Sequence, residues 1–174
     1  MQKKYEKIDL TQSIRKSFSL DLVNALEFIH LNNIVHMDLK PANIFICHKS
    51  SHRGNVKLLD FGIVKDLSTD LHITATNIWV GTPKYMSPEA FDPKQSFCKE
   101  SDLYAVGILL YLFVSGSFPY ELDDASIPRH LQKMPPAVKI SWLHLNGSPK
   151  ALKHPLNPLI QKLLSKSPQN RGTI

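Results

Sequence analysis

The chain has 174 residues, of which 43% are hydrophobic and 21% charged, and a net charge of +6. This composition excludes a disordered chain and suits one globular domain with a sizeable core. Its 21 Lys and Arg are scattered and form no basic run interleaved with aromatics, which argues against specific nucleic-acid binding. The two cysteines, Cys47 and Cys98, build no disulfide framework, as expected of an intracellular, reducing compartment such as the cytoplasm. Met1–Lys16 is polar and has no signal-peptide core, and the longest apolar run, Ala105–Val114, is too short to cross a bilayer, so no membrane segment is expected.

Residues 1–10 are charged and have no clear period. From Thr11 onward Ile14, Phe18, Leu22, Ala25, Leu26 and Ile29 recur on one face, and the spacing predicts a helix over Thr11–Leu31. Asp9 or Thr11 supplies its N-cap. Asn32-Asn33 ends it, because Asn tolerates left-handed backbone at a helix C-terminus. Ile34-Val35 then leads into His36–Asn43, the stretch HMDLKPAN, around which the rest of the chain reads. It sets a carboxylate (Asp38), a cation (Lys40) and an amide (Asn43) on one short loop that Pro41 keeps from becoming helical. A base for a hydroxyl, a charge for phosphate oxygens and a neutral oxygen ligand for Mg²⁺ are the equipment of phosphoryl transfer.

Beyond the loop, Ile44–Ile46 and Val56–Leu59 read as the short strands of a hairpin across the polar turn His48–Asn55. Cys47, His48 and His52 at its tip lack a fourth ligand at useful spacing, which favours a solvated turn over a zinc site. Asp60-Phe61-Gly62 closes the second strand, with Gly62 supplying backbone freedom for the turn. Residues 63–90 are polar and Thr-rich and contain GTPKYMSPE, Gly81–Glu89. An apolar helix opens at Ser101 and runs to about Val114, followed by the turn Gly116–Tyr120. Residues 121–155 read as irregular and Pro-rich, with a short helix near Ile127–Gln132. Pro158–Lys166 returns to helical spacing through Leu159, Ile160, Leu163 and Leu164, and SPQNR, Ser167–Arg171, lies near the end. The chain contains no internal repeat.

Singly, these motifs are weak: Asp38 and Asn43 could be turn formers, Lys40 a surface charge and Thr82 a loop hydroxyl. Together and in this order they resemble protein kinases of the serine/threonine type. HMDLKPAN resembles the catalytic loop H-R-D-L-K-x-x-N, with Met37 in place of Arg; its six matching letters, counting the Pro41 typical of the serine/threonine branch, would coincide by chance less often than about 1 in 10⁷. Asp60–Gly62 resembles the metal-binding D-F-G. Gly81–Glu89 resembles the end of an activation segment, G-T-x-x-Y-x-x-P-E, with Ser87 where Ala is commoner. Ser167–Arg171 resembles the D-P-x-x-R that follows.

The resemblance implies a mainly α fold over residues 1–174: the helical C-terminal lobe of a protein kinase, with a small β-hairpin around the active site. It implies ATP and Mg²⁺ as cofactors and a protein as substrate. Asp38 would then accept the proton of the substrate hydroxyl, Lys40 neutralise the transferring phosphate, Asn43 and Asp60 ligate Mg²⁺, and Thr82 face the substrate. His36 would support Phe61, Asp102 would hold the backbone of the catalytic loop, and Glu89 would form a buried ion pair with Arg171.

Two departures shape the expectation. No glycine precedes Gly54, so neither a G-x-G-x-x-G loop nor a V-A-I-K-like strand lies upstream of His36. The small N-terminal lobe is therefore expected to be missing from this polypeptide, which leaves a bare apolar face for a separate small lobe or a protein partner. Such a chain should be inactive or very weak alone; the alternative is a non-catalytic, kinase-like binding module. Met37, for its part, cannot pair with a phosphate on the activation segment, so control through Ser68, Thr69, Thr74 or Thr76 is expected to be weak or absent.

Overall fold

The computed structural model describes residues 12–46, 56–61, 65–66, 82–91, 97–120 and 127–174. Gly62, the Cys47–His48–His52 turn and the four candidate phosphorylation sites lie outside them. The first helix, α1 (Gln12–Leu31), buries Leu22, Leu26 and Ile29 on one face, and Asn33 follows it with a φ of 58°. Each of those side chains contributes roughly 1.5–3 kcal/mol by leaving water. The chain then enters β1 (Ile34–Val35), which pairs antiparallel with β4 (Lys65–Asp66). That ladder, too short to show a period, was not expected from the sequence. The expected hairpin is present: β2 (Ile44–Ile46) pairs antiparallel with β3 (Val56–Leu58) in the register Ile44–Leu58 to Ile46–Val56.

The centre of the molecule is α2 (Lys99–Ser115), in which every residue from Ser101 to Tyr111 is buried. A helix enclosed on all sides needs apolar residues around its whole circumference, and this one has them. It stops at Gly116, whose φ of 72° suits a residue without Cβ and whose N–H donates to the Leu112 carbonyl at 2.8 Å. Gly107 serves closeness instead. A Cβ there would lie 2.9 Å from that of Leu163, so its absence lets α4 (Asn157–Leu163) pack directly on α2.

Residues 121–155 depart from expectation, because α3 (Pro136–Asn146) crosses them. Pro135-Pro136 looks like a breaker in sequence, yet proline at a first helical position removes an N–H that would be unpaired anyway. The helix is held by the side it buries, Ile140, Leu143 and His144. The short helix expected near Ile127–Gln132 is a single 3₁₀ turn at Arg129–Leu131.

His144 ties α3 to two other parts of the core. One ring nitrogen donates to the Met86 carbonyl, and Nδ1 accepts from the Tyr104 hydroxyl at 3.0 Å, which lies 2.8 Å from that of Tyr120. Burial disfavours the imidazolium and outweighs the Met86 carbonyl, lowering the His144 pKa from 6.5 to about 4. Between those two values the unfolded chain binds a proton that the folded chain does not. Stability is therefore complete above about pH 6.5 and declines as pH falls toward 4. The expected loss by pH 5 is about 2 kcal/mol, read from urea unfolding at pH 7 and pH 5. His144→Phe should flatten that slope, and an unchanged slope would refute the assignment.

Candidate active site

The loop from His36 to Asn43 is held from below by one carboxylate. Asp102, 1% exposed, accepts the His36 N–H at 2.9 Å and the Met37 N–H at 3.0 Å, and His30 Nε2 lies 2.9 Å from its Oδ2. Met37 needs that grip, since its φ of 67° is a left-handed conformation that ordinary side chains avoid. Its side chain is buried and offers no charge. His36, fully buried, joins the loop to the end of β3. Its Nδ1 accepts the Asp38 N–H at 3.4 Å, which leaves Nε2 to donate to the Leu59 carbonyl at 3.0 Å. Its ring lies 5.1 Å from that of Phe61.

On this base stands a cluster of four polar side chains. Asp38 Oδ1 accepts from the Thr82 N–H at 3.0 Å and from the Thr82 hydroxyl at 2.9 Å. Its Oδ2 accepts from Lys40 Nζ at 2.5 Å and from Asn43 Nδ2 at 3.1 Å. Lys40 Nζ also reaches Thr82 Oγ1 at 3.1 Å, and Asn43 Nδ2 also donates to the Asp38 carbonyl at 2.9 Å. Asp38, though 5% exposed, thus has its four lone-pair positions filled by oriented donors. Thr82 stands 44 residues away in sequence and arrives through the 3₁₀ turn Pro83–Tyr85.

The remaining candidate, Asp60, is exposed with a φ of 61°. The neighbouring Leu59 N–H donates to the Asn43 carbonyl at 2.8 Å, which brings the end of β3 alongside the loop. Both N–H groups of Asn43 Nδ2 point at Asp38, so its amide oxygen is the group left for a ligand. A carboxylate and an amide oxygen are hard donors suited to Mg²⁺. Among the described residues no three His, Cys, Asp or Glu are grouped to hold a metal by themselves.

These arrangements can be set against known proteins. The pattern that defines the protein kinase domain matches residues 1–174. The chain belongs to the protein kinase family. It is 42% identical over 120 residues to the serine/threonine-protein kinase PrkC of Bacillus subtilis, covering 68% of this chain and 18% of that protein. It is 34% identical over 154 residues to the serine/threonine-protein kinase Pkn1 of Myxococcus xanthus, covering 85% and 20%. With the rat 3-phosphoinositide-dependent protein kinase 1 it shares 38% over 113 residues, covering 65% and 19%. The kinase chain thus spans about a fifth of the length of these curated relatives.

A second polar centre in this kinase chain is structural. Arg171 Nη1 and Nη2 donate to the two oxygens of Glu89 at 2.6 and 2.7 Å, with both side chains nearly sealed from solvent. The other guanidinium donors go to the carbonyls of Ser165, Glu100 and Lys166, and Ser101 Oγ donates to Glu89 at 2.8 Å. Arg171 also lies over the Tyr104 ring, 4.9 Å from its centroid. Burial alone would raise the Glu89 pKa, but the Arg171 guanidinium, with backbone and Ser101 hydrogen bonds, brings the net shift below the usual carboxylate value.

Sequence reasoning missed His30, Ser101, Tyr104 and His144. Each sits on a helix whose period places it inside, but nothing local names its partner. Ser87 gives the opposite case: its hydroxyl is buried with no partner among the described residues.

Proposed function

We propose that this chain is the large lobe of a serine/threonine protein kinase, which transfers the γ-phosphate of Mg·ATP to protein hydroxyls. The observation that carries the reading is the Asp38 carboxylate, clamped between Lys40, Asn43 and Thr82. Because its lone pairs are filled, an incoming substrate hydroxyl must displace a donor. Lys40 is the donor with an alternative, since a phosphate oxygen competes for its ammonium. Movement of Lys40 toward the phosphate opens Oδ2, and Asp38 is then placed to accept the hydroxyl proton. Thr82, bonded to the same carboxylate, holds it in orientation and marks the side from which substrate approaches. Its place beside Lys40 supports Ser/Thr rather than Tyr as acceptor.

Asn43 and Asp60 would hold Mg²⁺, which supplies charge neutralisation at the phosphates when bound. Two protein ligands make a weak site without nucleotide, because Mg²⁺ of this kind leans on phosphate oxygens. Phe45, Leu59 and Phe61 remain exposed by 54%, 43% and 43% beside these residues. We assign that apolar face to a small lobe, carried elsewhere on the same protein or by a partner, that would complete the nucleotide site. Without it the 174 residues should transfer phosphate only feebly, since positioning supplies most of the catalysis.

Calorimetry with the purified chain tests the reading. Mg²⁺-dependent ATP binding, lost in Asp60→Asn, is the expected outcome. A folded chain that binds no ATP would be, as it stands, a non-catalytic lobe; the alternative of a kinase-like binding module is one that the uncharged, buried Met37 also suits. No helix among the described residues is long and apolar enough to cross a membrane.

A further inference from the structure

We propose that Lys84, held over Phe118, selects protein substrates with an acidic side chain within about four residues of the acceptor Ser or Thr. The inference rests on the reading of Asp38 and Thr82 as the acceptor site and names the substrate class of that site.

Three observations carry it. The first is placement. Lys84 lies two residues beyond Thr82, so their Cα atoms are within about 7 Å. The offset is rigid, because Pro83 opens a 3₁₀ turn in which the Tyr85 N–H donates to the Thr82 carbonyl at 2.9 Å. An extended substrate advances about 3.3 Å per residue, which puts the flanks of the acceptor in reach of a lysine side chain.

The second is preorganisation. Lys84 is exposed, and its Nζ lies 5.0 Å from the centroid of the Phe118 ring. Phe118 is itself fixed edge-on by Tyr85, with centroids 5.5 Å apart and planes at 64°. A lysine steadied by a ring surrenders less side-chain freedom on pairing than one waving in solvent.

The third is the lack of a counter-charge among the described residues. Among the described residues no carboxylate pairs with Lys84. The single acidic residue between positions 82 and 91 is Glu89, which is buried and held by Arg171. An acidic substrate side chain therefore meets a cation that no carboxylate among the described residues neutralises, and a basic one is repelled.

The test uses serine peptides in which Asp, Ala or Lys is walked from four residues before to four residues after the acceptor. Binding to the 174-residue chain is read from the amide shifts of Thr82 and Lys84 by NMR, without nucleotide. At the favoured position the Asp peptide should bind about threefold to tenfold tighter than the Lys peptide, the scale of an exposed ion pair. The exposed substitution Lys84→Glu should invert that order. Equal binding of all peptides, an order unchanged in Lys84→Glu, or no binding at all overturns the proposal. Phosphate transfer from Mg·ATP to the same peptides is scored separately. Its absence with the charge preference intact counts against the phosphotransfer reading and not against the role of Lys84.

Discussion

Arg171→Ala should lower the unfolding free energy by about 3–5 kcal/mol, among the largest effects available to a single substitution in this chain. Removal of the guanidinium leaves the Glu89 carboxylate buried at 3% exposure with only Ser101 and its own backbone as donors. It also orphans the carbonyls of Glu100, Ser165 and Lys166 that Arg171 now satisfies. For a domain of this size each kcal/mol shifts Tm by roughly 2–4 °C, so thermal melting should show a fall on the order of 10 °C. Glu89→Ala should do comparable damage from the other side. An unchanged Tm in either variant would mean that the pair contributes nothing net. The pH dependence has a definite sign as well. Because the folded Glu89 pKa is depressed, its contribution is present above the ordinary carboxylate value of 4.5 and is lost as pH falls through the folded value.

Asp38→Asn should reduce phosphate transfer by about 10²–10⁴-fold, the usual contribution of a positioned general base. The assay is a serine-peptide reaction with the protein in which the nucleotide site is complete. Asn keeps the size of the side chain, but it brings an amide N–H₂ toward Lys40, Asn43 or Thr82, which are already donors. Some of the loss is therefore misplacement of Lys40, and Mg·ATP affinity separates the two effects. Retained affinity with collapsed turnover assigns the defect to the hydroxyl proton. Turnover within a few fold of the unaltered protein would remove Asp38 from the reaction.

Both centres left motifs in the sequence. The proposed site residues Asp38, Lys40, Asn43 and Asp60 lie on two short segments whose letters and order are readable because the proposed chemistry restricts residue type at each position. The helices α1 and α2 were readable for another reason: burial of a face, or of a whole circumference, leaves a hydrophobic period in the chain. The hairpin followed from two short apolar runs across a polar turn. The resemblance had implied two contacts between polar groups far apart in sequence, Glu89 with Arg171 and Asp102 with the loop backbone; the tertiary structure alone decided the others. His30 finds Asp102 across 72 residues, Tyr104 finds His144 across 40, and Thr82 closes on Asp38 across 44. It also decided that Pro135-Pro136 begins a helix, because the gain from burying Ile140, Leu143 and His144 is a property of the assembled core. Residue type and hydrophobic period are local, so the chain alone already carried the groups proposed for phosphoryl transfer and the course of α1 and α2. Which donor meets which acceptor depends on how the loops between them close, and that only the packed chain specifies.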